Sequence, residues 1–208
     1  MKADPLHSPQ ELAVLRAHAK RQLRKRLLAI RRVLPSASVL ERSDKACARV
    51  LALPELQTAK TIMAYVAMRK EIDPSGVLAH AFANGKRVVL PRVGEGQDEG
   101  LTLHEHAPDA ALIENHLGVQ EPEPSVPRVE PDEVDLVIVP ALAVDPRGHR
   151  VGYGGGYYDR LLPQMPRATK VAFVYDFQLV SETPSETHDA RVTHIVSDAR
   201  TLVASDEA

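Results

Sequence analysis

The run Leu136-Val137-Ile138-Val139-Pro140 is apolar without interruption, so it cannot be a strand with one wet face. Strands of this kind sit in the middle of a parallel sheet with helices covering both sides. Other segments fit the same plan. Thr61–Met68, Arg87–Val93, Leu101–His106, Thr169–Tyr175 and a last short stretch, His194–Ser197, read as strands. Between them lie helical patterns. Glu11–Leu34 carries Leu12, Leu15, Ala19, Leu23, Leu27, Ile30 and Leu34 as one stripe. Pro35 stops that helix, and Ser38 with Glu41 has the spacing of a capping box for a second helix through Leu53. Asp73-Pro74 opens a third helix that Asn84-Gly85 closes after Ala83. The alternation predicts an α/β fold with an open, mostly parallel sheet flanked by helices, in one domain over residues 1–208. The proline- and acid-rich stretch Ala107–Asp135 is expected to be a surface excursion.

Five of the eleven glycines fall between 148 and 156: Gly148, Gly152, Gly154, Gly155 and Gly156. They follow the buried strand and precede a short helical stretch, Tyr157–Leu162. Glycines there let backbone N–H groups converge on an anion at the carboxyl ends of strands. The plainer alternative is a turn that needs positive φ. No Lys-Ser/Thr follows, and Tyr157 stands where a dinucleotide fingerprint has its third glycine, so the segment is neither standard loop. Asp159 either complements a helix amino end or offers a carboxylate to Mg²⁺ beside a phosphate. Arg150 can present a bidentate fork to a phosphate.

Charge is distributed unevenly. No acid occurs from Leu12 to Leu40, and Arg128 is the one Lys or Arg between Gly94 and Asp135. On a helical wheel Lys20, Arg24 and Arg31 share one flank of the apolar stripe, whereas Arg21, Lys25 and Arg32 point away. The flank group could lend charge to a cleft, and the helix could equally be a solvated face or a nucleic-acid contact. A formal charge of −2 and 4 % aromatic residues weigh against a nucleic-acid platform. Glu71 stands where a ligand-facing acid or a surface loop acid would be equally at home. His188-Asp189 is a weak metal signal, and Cys47 reads as a small core residue. A single cysteine excludes an internal disulfide, and Met1–Pro5 lacks the apolar core of a secretory signal. No apolar run has membrane-spanning length. The expectation is a cytoplasmic, monomeric protein without nucleic-acid or membrane partners.

Taken together, Lys20-Arg21-x-x-Arg24, Glu71-Ile72, the run Asp145–Arg160, Gln178, Pro184 and His188-Asp189 resemble the 5-formyltetrahydrofolate cyclo-ligase family over most of the chain. The resemblance implies a sheet similar to that of sugar-phosphate isomerases and coenzyme A transferases. It also implies an activity: ATP and 5-formyltetrahydrofolate give 5,10-methenyltetrahydrofolate, ADP and phosphate, with Mg²⁺. It carries Lys20, Arg21, Gln22, Leu23 and Arg24, with Arg150, Val151, Gly152, Tyr153, Gly154, Gly155, Gly156, Tyr157 and Tyr158, to ATP. Val66, Glu71, Tyr153, Gly154, Gly155, Gly156 and Tyr157 carry over to the folate substrate. Asp159 and Asp189 carry over as metal carboxylates, and Arg150 and Asp159 as catalytic groups. Some relatives have lysine at Gly155, so alanine there is expected to be milder than at Gly154 or Gly156. Two rival readings stand beside this one, a phosphosugar isomerase on a similar sheet and an RNA-binding protein that uses the basic helix.

Overall fold

The apolar run at 136–140 lies inside an eight-stranded sheet, as its two-sided apolarity requires. The structure is a computed structural model describing residues 8–94, 100–187 and 189–206; the expectations at Met1–Pro5 and His188 fall outside them. Helices α1 (Pro9–Arg32), α2 (Ser36–Leu51) and α3 (Pro54–Thr58) precede strand β1 (Thr61–Met63). Helix α4 (Ser75–Ala83) leads to β2 (Arg87–Val93) and β3 (Leu101–Glu105). The short strands β4 (Leu112–Glu114), β5 (Gln120–Pro122) and β6 (Arg128–Val129) come before β7 (Leu136–Pro140). Then follow β8 (Ala143–Val144), β9 (Arg150–Val151), α5 (Tyr157–Leu161), β10 (Thr169–Val174), β11 (His194–Ser197) and β12 (Thr201–Val203).

The sheet order is β12-β11-β10-β7-β1-β2-β3-β6. From β11 to β2 the strands are parallel, in register at Ile138 beside Val171 and Met63 beside Val137, while β12 and β3 run against them and β6 pairs antiparallel with β3. Alternation divides the core. Leu136, Ile138, Val171 and Phe173 meet Val50, Leu56 and Val77 on one side. Val137, Val139, Ala172 and Val174 meet Leu161, Leu162 and Met165 on the other. The expected α/β class with its mostly parallel, helix-flanked sheet is what forms. Cys47 sits in the first of these cores with its Sγ 3.4 Å from the Asp73 carbonyl, and burial raises its thiol pKa. No described helix is long and apolar enough to cross a membrane.

Several expectations need correction. The capping box belongs to α1, where Ser8 and Glu11 cap each other; α2 starts behind Pro35 with no side-chain cap, because Ser38 and Glu41 bond Arg42 and Lys45 instead. The apolar stripe on α1 is only partly its buried face: Leu27 is buried and Leu12, Ala19, Leu23 and Leu34 are half-buried. Leu15 is 52 % and Ile30 36 % exposed, while Lys20, Leu27 and Arg31 are buried. Those bases find acids and carbonyls in the body, which outweighs the apolar pattern. The strand from Thr61 ends at Met63, since the chain leaves the sheet to wall a cavity. The stretch 107–135 is more than an excursion: β6 extends the sheet and the β4–β5 hairpin packs beside β2. Strand His194–Ser197 is not the last, as β12 pairs with it.

Candidate active site

A cavity of about 750 Å³ opens at the carboxyl ends of β1 and β7, the usual ligand position for such a sheet. Helix α1 contributes Lys20, Arg21 and Arg24 to its wall; the chain after β1 contributes Tyr65, Val66 and Glu71. All residues from Arg150 to Asp159 line it, as do Glu186 and Asp189. The sequence therefore picked segments that the fold brings together. Two expected residues stand apart: Gln22 is exposed, 3.4 Å from the His18 ring, and Leu23 packs against Leu27 and Val151. Arg21, expected to point away, lies along the wall because the cavity wraps past the helix flank.

One end of the cavity is charged. Lys20 Nζ lies 2.7 Å from Glu186 Oε2 and 2.7 Å from Asp189 Oδ2. Burial works against the Lys20 ammonium, but the hydrogen bonds it donates to Asp189 and Glu186 outweigh that and raise its pKa. Arg150 Nη2 donates to Asp159 Oδ1 at 2.8 Å, and the Ala190 N–H donates to the same oxygen at 3.2 Å. Burial lowers the Arg150 pKa against the pull of Asp159, and its Nε has no hydrogen-bond partner. Arg24 Nε donates to the Gly152 carbonyl at 2.8 Å, tying the basic helix to the glycine segment. Among the described residues, no three His, Cys, Asp or Glu side chains form a metal cage. Asp159 and Asp189 are hard oxygen donors that line the cavity, which suits a cation completing its shell with ligand oxygens and water.

Glu71 is 6 % exposed, deciding between the two readings of that residue. Its Oε1 accepts the Tyr153 hydroxyl at 2.5 Å and lies 3.6 Å from Arg31 Nη1; its Oε2 accepts the Met68 N–H at 3.0 Å. Arg31 Nη2 also donates to the Tyr153 oxygen. Burial pushes the Glu71 pKa up, and the bonds from Tyr153 and Met68 hold it back. The turn delivering Glu71 holds Arg69 and Lys70 at φ 48° and 59°. Such left-handed residues cost roughly 1–2 kcal/mol each. The turn is held by Arg31 Nε on the Arg69 carbonyl, and by Lys70 Nζ on the Arg32 and Leu34 carbonyls at the end of α1.

The glycine segment needs its glycines for different reasons. Gly154 has φ +111°, with Arg24 Cζ 3.5 Å from where a Cβ would stand. At Gly155 φ is ordinary, but a Cβ would sit 2.7 Å from Tyr157 Cε2. Alanine at Gly155 would require the Tyr157 ring to move aside, whereas at Gly154 and Gly156 the positive φ opposes any side chain whatever the space.

An apolar wall of the cavity went unseen in the sequence. Leu117, Val119 and Gln120 of the β4–β5 hairpin face Pro91 and Val93 of β2 and Leu101 of β3 across it. Glu121 clamps the hairpin: Arg92 Nη1 lies 2.6 Å from Oε1, and Oε2 accepts Val93 N–H at 3.0 Å and Asn115 Nδ2 at 2.7 Å. A buried acid within an acid-rich stretch gives no local sign of such a partner.

Comparison with known proteins agrees with this architecture. The family model for the 5-formyltetrahydrofolate cyclo-ligase family matches residues 16–198. A 5-formyltetrahydrofolate cyclo-ligase of Mycolicibacterium smegmatis is 35 % identical over 192 residues, covering 89 % of this chain and 97 % of that one. One from Escherichia coli is 30 % identical over 173 residues, covering 82 % and 95 %. The solved structure of Aquifex aeolicus 5,10-methenyltetrahydrofolate synthetase superposes with a TM-score of 0.79 at 31 % identity, covering 90 % of this chain and 93 % of its own.

Proposed function

The chain belongs to the 5-formyltetrahydrofolate cyclo-ligase family, and from that premise we propose that it closes 5-formyltetrahydrofolate to 5,10-methenyltetrahydrofolate with ATP and a divalent cation. The observation that carries this reading is one cavity whose lining combines a cluster of charged groups, an apolar wall and the glycine segment. The charged cluster, with Lys20, Arg24 and Arg150, suits a polyphosphate. The apolar wall, with Val66, Val93, Leu101, Leu117 and Val119 and with Glu71 also in the lining, suits a flat heterocycle with a polar edge.

The chemistry needs no protein nucleophile. An N-formyl oxygen is a poor leaving group because the amide is resonance-stabilised. Transfer of the terminal phosphoryl group of ATP to that oxygen releases ADP and makes the formyl carbon electrophilic. N10 of the same folate attacks that carbon, loses its proton, and phosphate departs as the ring closes. Phosphoryl transfer asks the protein chiefly for position and charge. In this reading Lys20, Arg24 and Arg150 hold the phosphates, Gly152–Gly156 bring backbone close to them, and Glu71 with Tyr153 orients the folate. Asp159 and Asp189 would hold Mg²⁺, which neutralises phosphate charge when bound.

The test is direct. Purified protein with ATP, Mg²⁺ and 5-formyltetrahydrofolate is expected to generate the near-ultraviolet absorbance of the methenyl product. Omitting ATP, or replacing Mg²⁺ with chelator, is expected to abolish it. Full single-turnover conversion in chelator refutes the carboxylate–metal role, and no product with all components refutes the reading.

A further inference from the structure

Lys20 already holds two anions. Its ammonium is 2.7 Å from Glu186 Oε2 and 2.7 Å from Asp189 Oδ2, so a phosphate reaching it must displace at least one carboxylate or share the lysine with both. The two acids are not equivalent. The Asp189 side chain is 7 % exposed, and its Oδ2 also accepts the Glu186 N–H at 2.8 Å, which anchors it to the chain. The Glu186 side chain is 26 % exposed and hangs from the same turn on a longer stem. Glu186 is therefore the carboxylate that can swing away.

We propose that Glu186 is an internal competitor for Lys20 that makes the site select nucleotide carried by a divalent cation over free nucleotide. The inference rests on the reading of Lys20 as a phosphate-binding residue. A free nucleoside triphosphate brings its full negative charge toward Asp159, Glu186 and Asp189 at one end of the cavity, and must also take Lys20 from Glu186. A nucleotide that arrives with a divalent cation supplies positive charge to the displaced carboxylate and to Asp189, so the exchange is nearly even. The selectivity then resides in the carboxylate on position 186, outside the glycine segment.

The experiment is calorimetric titration of ATP without folate, in chelator and in Mg²⁺, against wild type, Glu186→Gln, Lys20→Met and the double variant. Glutamine keeps the length of the side chain and leaves Lys20 with Asp189. Glu186→Gln is expected to tighten metal-free ATP by about tenfold, the size of one charge-assisted hydrogen bond, and to change Mg²⁺-ATP far less. In the Lys20→Met background the same substitution is expected to change metal-free affinity much less, because the contested ammonium is gone. A Glu186→Gln variant that keeps its melting temperature yet binds metal-free ATP no tighter than wild type overturns the proposal. Equal weakening in both buffers, with a lowered melting temperature, also overturns it and marks Glu186 as a brace for the loop. If Lys20→Met leaves ATP binding untouched, the phosphate reading of Lys20 fails first and the inference falls with it.

Discussion

Replacing Tyr153 by phenylalanine removes one oxygen atom and nothing else from the wall of the cavity. That oxygen donates to Glu71 at 2.5 Å and accepts from Arg31, so its loss takes one donor from a buried carboxylate and one acceptor from a buried guanidinium. Hydrogen bonds to charged groups are worth about 1.5–3 kcal/mol each. Compensation is partial: Glu71 keeps the Met68 N–H and the Arg31 pairing at 3.6 Å, and Arg31 keeps the Arg69 carbonyl. The two losses belong to one network and do not add. A net destabilisation of about 2 kcal/mol follows, or about 4–8 °C in melting temperature for a chain of this size. Folate KM should rise as Glu71 is released, and the Glu71 carboxyl should titrate higher still, because the Tyr153 bond holds its pKa down. Thermal unfolding with steady-state kinetics reads both effects. A variant that melts within about 1 °C of wild type with unchanged folate KM refutes the view that this oxygen joins the two charges.

Gly155→Ala should raise the ATP KM less than Gly154→Ala, since it asks the Tyr157 ring 2.7 Å away to move while Gly154 needs φ +111°; equal effects from the two, with retained circular dichroism, refute the distinction. Arg24→Ala should raise the ATP KM about tenfold or more through loss of a charge-assisted contact. Arg21→Ala, at a more exposed part of the wall, should raise it less, and equal effects from the two refute the assignment of Arg24. Burial raises Glu71 above the ordinary 4.5, so the folded chain binds that proton more tightly than the unfolded chain. Stability contributed by this group therefore falls as pH climbs from 4.5 toward the raised value, and levels off beyond it. Glu71→Gln should flatten that stretch of the stability–pH curve, and a ¹³C carboxyl titration of folded protein at or below 4.5 refutes the sign.

What the sequence disclosed was local. The apolar run at Leu136–Pro140 announced a doubly covered strand, and the glycines at 152–156 marked a segment that lines the cavity with Gly154 and Gly156 at positive φ; both lie where one segment carries its own signal. The wheel on α1 found Lys20, Arg24 and Arg31 beside the buried side but not that Lys20 and Arg31 are themselves buried, because their partners, Glu186 and Glu71, lie 40 or more residues away, as does the Gly152 carbonyl that Arg24 bonds. The hairpin wall stayed hidden for a similar reason. Glu121 is buried by Arg92, Val93 and Asn115, and nothing in an acidic, proline-rich stretch distinguishes one glutamate that will be clamped from neighbours that stay wet. The pairing of Lys20 with Asp189 was equally unreadable, since spacing cannot report that two residues assigned to different ligands touch each other.

Helix α1 is fastened to the body largely by charge. Its buried residues are Lys20, Leu27 and Arg31, with Leu23 the chief apolar support nearby. Seams of aliphatic side chains tighten in salting-out solutions, whereas the ion pairs of this helix are shielded from ionic strength, with Glu71 and Asp189 buried and only Glu186 partly exposed. The amide protons of β7 and β10, whose contacts are apolar, should therefore gain more protection in salting-out solutions than those along this 24-residue helix. The surface that attaches the helix is also a wall of the cavity. Whatever binds there with negative charge helps decide whether the first helix stays docked.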